Sequence, residues 1–220
     1  MDRTLRNFGA WLLAAAIGGM LVACQSGCVN ALAGALYVIK GNDVAPEFPG
    51  LKNKRVAVVC RPVVELQYTT GNVHAEIARQ LGILLRQHSS KVEIIDAQKV
   101  SEWTDEHEWT EFNEIGEALD ADMVVGIDLE HFSIYQGQTL YQGKAQVAVQ
   151  VVDMKDHGKI AFESHMPQLV YPPNTGVPTS EKPEEEFRRQ FIKVLADHVG
   201  RYFYPHDATQ DFARDSDSLR

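Results

Sequence analysis

Two kinds of apolar pattern alternate along residues 51–204. Short runs such as Arg55-Val-Ala-Val-Val-Cys60 and Met123-Val-Val-Gly-Ile-Asp-Leu129 are apolar at nearly every position, which suits strands buried on both faces. Between them Val73, Ile77, Leu81, Leu84 and Leu85 fall at helical spacing, with Asn72 as the N-cap. Ser89 and Ser90 end that helix, and Val92-Glu-Ile-Ile95 predicts the second strand. Ala97–Asp120 predicts two helical pieces, the first served by Val100 and Trp103. The second uses Phe112, Ile115 and Leu119, with Thr110 as its cap.

In Met123–Ile134 the apolar phase is odd at Ile127 and Leu129 but even at Phe132 and Ile134. A phase change of one residue without a turn predicts a β-bulge near Glu130 and His131. Leu140–Asp153 alternates, with Ala145, Val147, Val149 and Val151 on one face and Lys144, Gln146 and Gln150 on the other; this predicts an antiparallel, half-exposed strand. Lys155-Asp-His-Gly158 predicts a hairpin turn returning through Ile160 and Phe162, followed by a loop rich in proline (Pro172, Pro173, Pro178, Pro183). The last helix opens at Pro183 with Glu184–Glu186 in its first turn. Phe187, Phe191, Val194, Leu195, Val199, Tyr202 and Phe203 are its buried stripe. The resulting order, β-α-β-α-β-β-β-α, predicts an α/β domain with a mixed five-stranded sheet and helices packed on it.

The N-terminus follows another pattern. Arg3 and Arg6 precede an uncharged run from Phe8 to Ala23, shorter than the about 20 residues of a membrane-spanning helix. A secretory signal has this form. An uncleaved anchor continuing through Ala31 to Ile39 is the alternative, although Gln25, Ser26 and Asn30 would interrupt it. Leu21-Val22-Ala23-Cys24 resembles the lipobox of bacterial lipoproteins. That resemblance implies cleavage before Cys24 and lipid attachment to its sulfur; Gln25, in place of Asp, implies the outer membrane, facing the periplasm. The expected organisation is a signal peptide over 1–23, a lipidated tether over 24–50, one α/β domain over 51–204 and a disordered polar tail over 205–220.

Charge and cysteine content narrow the partners. A formal net charge of −9 gives no electrostatic footprint for nucleic acid or anionic headgroups, so membrane attachment falls to acyl chains on Cys24. The 3 cysteines make no disulfide framework. Cys28 lies in the tether and Cys60 ends an apolar run, where a buried thiol is usual; a Cys28–Cys60 bridge is the alternative in an oxidising periplasm.

Candidate chemistry is sparse. The chain has no G-x-S-x-G, S-x-x-K, P-loop or G-x-G-x-x-G. His107-Glu-Trp-Thr-Glu111 approaches a zinc signature, with Glu where the second His belongs; on one helical turn His107 and Glu111 could share a metal. A cap at Thr110 would split that turn, and a solvated acidic segment is the plainer reading. Asp128, Glu130 and His131 form the other cluster, able to do acid–base work if the carboxylates are buried together. A polar sheet face with a bulge is the plainer reading. His165 has no partner identifiable from spacing. Trp103 and Trp109 read as packing residues, with a saccharide-binding surface as the alternative.

Four segments carry a resemblance: Arg55-Val-Ala-Val-Val59, Ile77-Ala-Arg-Gln-Leu81, Val92-Glu-Ile-Ile-Asp96 and Ile115-Gly-Glu-Ala-Leu-Asp-Ala-Asp-Met-Val-Val-Gly126. Together they resemble a small periplasmic α/β domain found in the N-terminal half of TolB, the curli secretion lipoprotein and lipoprotein activators of penicillin-binding proteins. The likeness spans roughly residues 51–165 and concerns packing more than chemistry. It implies an interaction or assembly module with an envelope protein as partner. Apolar faces complete without the tether, and the lack of a cofactor motif or a complete catalytic constellation, add the expectation of a chain that is monomeric when solubilised, without cofactor and without enzymatic activity. No pair of long amphipathic hairpins of the kind that forms the curli barrel is present. An envelope hydrolase or metal-dependent enzyme using His107 and Glu111, or Asp128, Glu130 and His131, is the alternative.

Overall fold

The structure, a computed structural model, describes residues 43–62, 72–89 and 91–207. The expected signal peptide, Cys24, Cys28, the expected tether as far as residue 42 and the expected tail beyond residue 207 lie outside the described residues. Residues 44–206 fall in one compact unit. In chain order its elements are β1 (Asp43–Val44), β2 (Arg55–Pro62), α1 (Val73–His88), β3 (Glu93–Ile94), α2 (Ala97–Glu106), α3 (Phe112–Ala118), β4 (Met123–Gln136) and β5 (Leu140–Asp153). There follow β6 (Lys159–His165), β7 (Leu169–Tyr171), β8 (Val177–Pro178), α4 (Glu184–Gly200) and β9 (His206–Asp207).

The main sheet runs β3-β2-β4-β5-β6. The helical crossovers leave β2 parallel to both β3 and β4, and the hairpins set β4, β5 and β6 antiparallel. This is the expected mixed α/β sheet, with one addition. β5 has 14 residues and β6 only 7, so the N-terminal half of β5 would present unpaired backbone groups at its outer edge. The stretch expected to be a loop supplies β7 and β8 there, pairing Gly143 with Tyr171 and Tyr141 with Val177.

α1 and α4 cover one face of the sheet. Ile77, Leu81 and Leu85 of α1 and Phe187, Phe191, Leu195 and Val199 of α4 are fully buried against Val56, Val125, Ile127, Leu129, Val147 and Val149. α2 and α3 cover part of the other face, where Val100, Phe112 and Ile115 meet Ala57, Val59, Val124 and Val152. Two strand glycines leave room for a helix's aromatic ring. A Cβ on Gly126 would stand 2.6 Å from the Phe112 ring, and one on Gly143 would stand 2.5 Å from the Phe191 ring. The bulge lies where the change of phase predicts: Leu129 pairs with Val147 and His131 with Gln146, so Glu130 is the extra residue. Phe132 and Ile134 thereby return to the face that holds Leu129.

Four local expectations change. Asn72 makes no side-chain cap bond; its carbonyl accepts the Glu76 N–H at 3.1 Å instead. Glu111, not Thr110, caps α3 through a reciprocal capping box with Glu114. Thr110 uses its own N–H to reach the Glu114 carboxylate at 3.0 Å. Residues 44–50, expected to close a tether, belong to the compact unit: Phe48 lies 5.5 Å from the Phe162 ring and 6.4 Å from Phe203, covering the apolar side of edge strand β6. Lastly, His206 and Asp207 form a strand where the polar tail was expected.

Two predictions follow from this packing. Phe191 is 0 % exposed, with its ring 5.4 Å from that of Phe132 and stacked 6.4 Å from that of Tyr171, so Phe191→Ala should cost about 3–5 kcal/mol in a denaturant melt. Asp122 accepts hydrogen bonds from Lys155 Nζ and Arg55 N–H, both at 2.8 Å, and these, in that order, hold its carboxyl below its ordinary range. The stabilisation is present above the unfolded-state value near 3.9 and is lost as pH falls through the lowered folded-state value. Acid melts of Asp122→Asn should therefore show a shallower loss of stability below about pH 4 than the wild-type protein.

Candidate functional site

α2 and α3 reach only as far as β2 and the first half of β4, and the remainder of that sheet face is polar. Register places Asp128 opposite Ala148 and then His165, Gly126 opposite Gln150 and then Glu163, and His131 opposite Gln146. On this surface Asp128 and Glu130 turn to different neighbours. Asp128 accepts hydrogen bonds from the Arg61 guanidinium on β2. Arg61 also donates to the Thr110 carbonyl and lies over the rings of Phe112, at 4.5 Å, and Trp109, at 5.6 Å, pinning the chain between α2 and α3 to the sheet. Glu130, displaced by the bulge, sits 3.7 Å from His165 Nδ1. His165 thus has partners that spacing did not reveal, with Glu163 4.0 Å from its other nitrogen. His131 is exposed. The two carboxylates expected to act together are separated by these partnerships.

His107 and Glu111 are not brought onto one helical turn. His107 has extended backbone dihedrals, φ −125° and ψ 138°, and ends α2. Its ring stacks on Trp103 at 4.8 Å, with Nδ1 2.9 Å from the Trp103 carbonyl. Glu111 begins the next helix and gives its carboxylate to the cap. Among the described residues no group of three or more His, Cys, Asp or Glu could hold a metal ion. Trp103 and Trp109 are partly buried against the smaller core, as packing residues are. Cys60 is a free, buried thiol. Burial first, and the neighbouring Asp128 charge second, push its pKa up, which keeps it protonated and inert as a nucleophile.

A cavity of about 600 Å³ was not foreseen. It opens between the N-termini of α1 and α4 over the second half of β4. Val73, Phe132 and Ile134 form its apolar floor, and Tyr135, Glu184 and Arg188 its polar rim. The Tyr135 hydroxyl donates to Glu184 at 2.6 Å, and Arg188 pairs with the same carboxylate. That carboxylate raises the phenol to about 12. Conversely, the phenol, followed by Arg188, lowers the Glu184 carboxyl. The pair is driven apart in proton affinity, so neither member exchanges a proton readily near neutral pH; the arrangement suits binding. Tyr135 lies beyond the bulge and Glu184 is 49 residues further on, a separation that periodicity does not connect. Glu184 carried only the first-turn signal of a helix.

No protein-family model matches the chain, and no curated relative matches it. Solved structures with a similar chain path include a PelC dodecamer from Paraburkholderia phytofirmans, at 12% identity and a TM-score of 0.46, covering 74% of this chain and 95% of that one. Lipoprotein GNA1162 from Neisseria meningitidis is similar at 10% identity and a TM-score of 0.41, covering 66% and 96%. A minor lipoprotein from Acinetobacter baumannii is similar at 12% identity and a TM-score of 0.33, covering 68% and 91%. Bacterial lipoproteins are therefore among the structures this chain is similar to.

Proposed function

We propose that this protein is a lipoprotein of the cell envelope, anchored in the outer membrane through acyl chains on Cys24, that acts by binding an envelope protein partner and not by catalysis. The observation that supports this best is the engagement of the polar candidates. His107 stacks on Trp103, Glu111 caps α3, Asp128 holds Arg61 and Glu130 faces His165. Each of these groups is committed to a local partner, so among the described residues no nucleophile, base and orienting residue converge on a point where substrate could react. Lipid anchoring is supported by Leu21-Val22-Ala23-Cys24.

Fatty-acid labelling in cells tests the anchor: wild-type protein should take up label and Cys24→Ser should not. Unlabelled wild-type protein overturns it. For the mode of action, His107→Ala with Glu111→Ala, and separately Glu130→Ala with His131→Ala, should leave in-cell chemical cross-linking to the partner unchanged. A hydrolytic or metal-dependent activity of the purified protein that vanishes in either variant shows the enzyme reading to be right.

A further inference from the structure

The sheet ends at β3, and the groove beside it differs electrostatically from the rest of the molecule. In a chain of net charge −9, this edge gathers Arg79 and Arg86 on α1, Lys91 just before β3 and Lys99 in the first turn of α2. All four are exposed. Among the described residues none of them forms an ion pair; Arg86 reaches only the Ile94 carbonyl, at 3.4 Å. The nearby anions are engaged, Glu93 with Arg55 at 3.4 Å and Asp96 as the cap of α2.

The groove has a volume of about 390 Å³, with Ile83 and Ile94 as its apolar part and Arg79 and Arg86 at its margin. One side is a strand edge. Glu93 and Ile95 send their N–H groups to Lys54 and Val56 of the β2 side, at 3.0 and 2.9 Å. Alternation along a parallel strand then turns the Ile94 N–H and C=O away from β2, towards the groove. Exposed edge groups of this kind take an added strand.

We infer that this edge receives an extended acidic segment of a partner protein. The segment's main chain pairs with Ile94, an apolar side chain rests on Ile83 and Ile94, and its carboxylates meet Arg79 and Arg86. Arg86 exchanges its long contact with the Ile94 carbonyl for a carboxylate, which frees that carbonyl for the incoming N–H. The apolar wall and the strand edge favour a peptide over a headgroup or a nucleic acid. The inference rests on the proposed binding role and names its surface and the chemistry of its partner.

Amide NMR of the full mature chain supplies the test, with an alternating Asp-Val decapeptide as probe. The Ile94 amide and the Arg79 and Arg86 side-chain signals should shift with this peptide, less so as salt is added, and not with a Lys-Val decapeptide. Arg79→Glu with Arg86→Glu, both on exposed positions, should weaken binding about tenfold or more. Shifts confined to the β4–β6 face, no shifts at all, or equal shifts at Arg79 and Arg86 with soluble glycerol phosphate in place of the peptide would each overturn it. In cells, a photo-cross-linking amino acid at Gln98 beside the groove should give an adduct that the double charge reversal removes. An adduct from a cross-linker at Glu163 but none from Gln98 means that the protein binds a partner by another face; adducts from neither position mean that the binding role itself is wrong.

Discussion

β4 has to serve two cores at once, and its side chains can do so only if their phase changes once along the strand. From Met123 to Leu129 the odd-numbered residues face α1 and α4, while Val124 and Gly126 face α3. Were the strand regular beyond that point, Phe132 and Ile134 would face the polar side, and the ring contact of Phe132 with Phe191 would not form. Glu130 absorbs the extra residue. The far half of β4 therefore stays under α4, and β5, paired along its length with β4, carries Ala145, Val147, Val149 and Val151 into the same layer.

The same constraint shapes the surfaces. Because the bulge pushes Glu130 out of the ladder, its carboxylate reaches towards β6 and His165, while Asp128, still in register, reaches Arg61 on β2. Arg61 also lies over Trp109 and Phe112, tying the start of α3 to β2. At the other edge, β3 is only 2 residues long and, among the described residues, has no strand beyond it. The molecule thus has one polar, ion-paired sheet face and one short edge beside unpaired arginines. Such a division between a committed surface and an available one is what a binding module needs.

Most of the fold was legible because burial imposes period and phase on the chain. The continuous apolar runs of β2 and β4, the alternation of β5, the stripe of α4 and the bulge itself are written in single-residue spacing. What was hidden depends on contacts between distant segments. β7 and β8 exist because β5 outruns β6, which no local pattern states. Phe48 looks like tether until Phe162 is seen to need cover. The capping role passed from Thr110 to Glu111 because Glu114 can reach both backbone amides. Of the candidate site, the polar face was foreseen, but its division into separate ion pairs was not, nor was the Tyr135–Glu184 cavity, since register decides which side chain meets which.

Glu130 is the residue by which β4 outruns β5 at the first irregularity of their ladder, while at the second, between Ser133 and Tyr135, the extra residue lies on β5; deleting Glu130 tests its part in setting the phase most directly. Without Glu130, Leu129, His131 and Phe132 alternate in, out and in, so the pairing with Val147 and Gln146 survives as a regular ladder. The deletion should fold cooperatively, with a denaturant midpoint close to that of the wild-type protein and stability within about 1 kcal/mol. Deleting Asp128 instead restores alternation at the wrong place, turning Leu129 to the polar face and Glu130 into the core, and should cost about 2–5 kcal/mol, whereas Asp128→Ala, which leaves both where they are, should cost far less. An unfolded Glu130 deletion, or an Asp128 deletion that melts like the wild-type protein, would contradict the account.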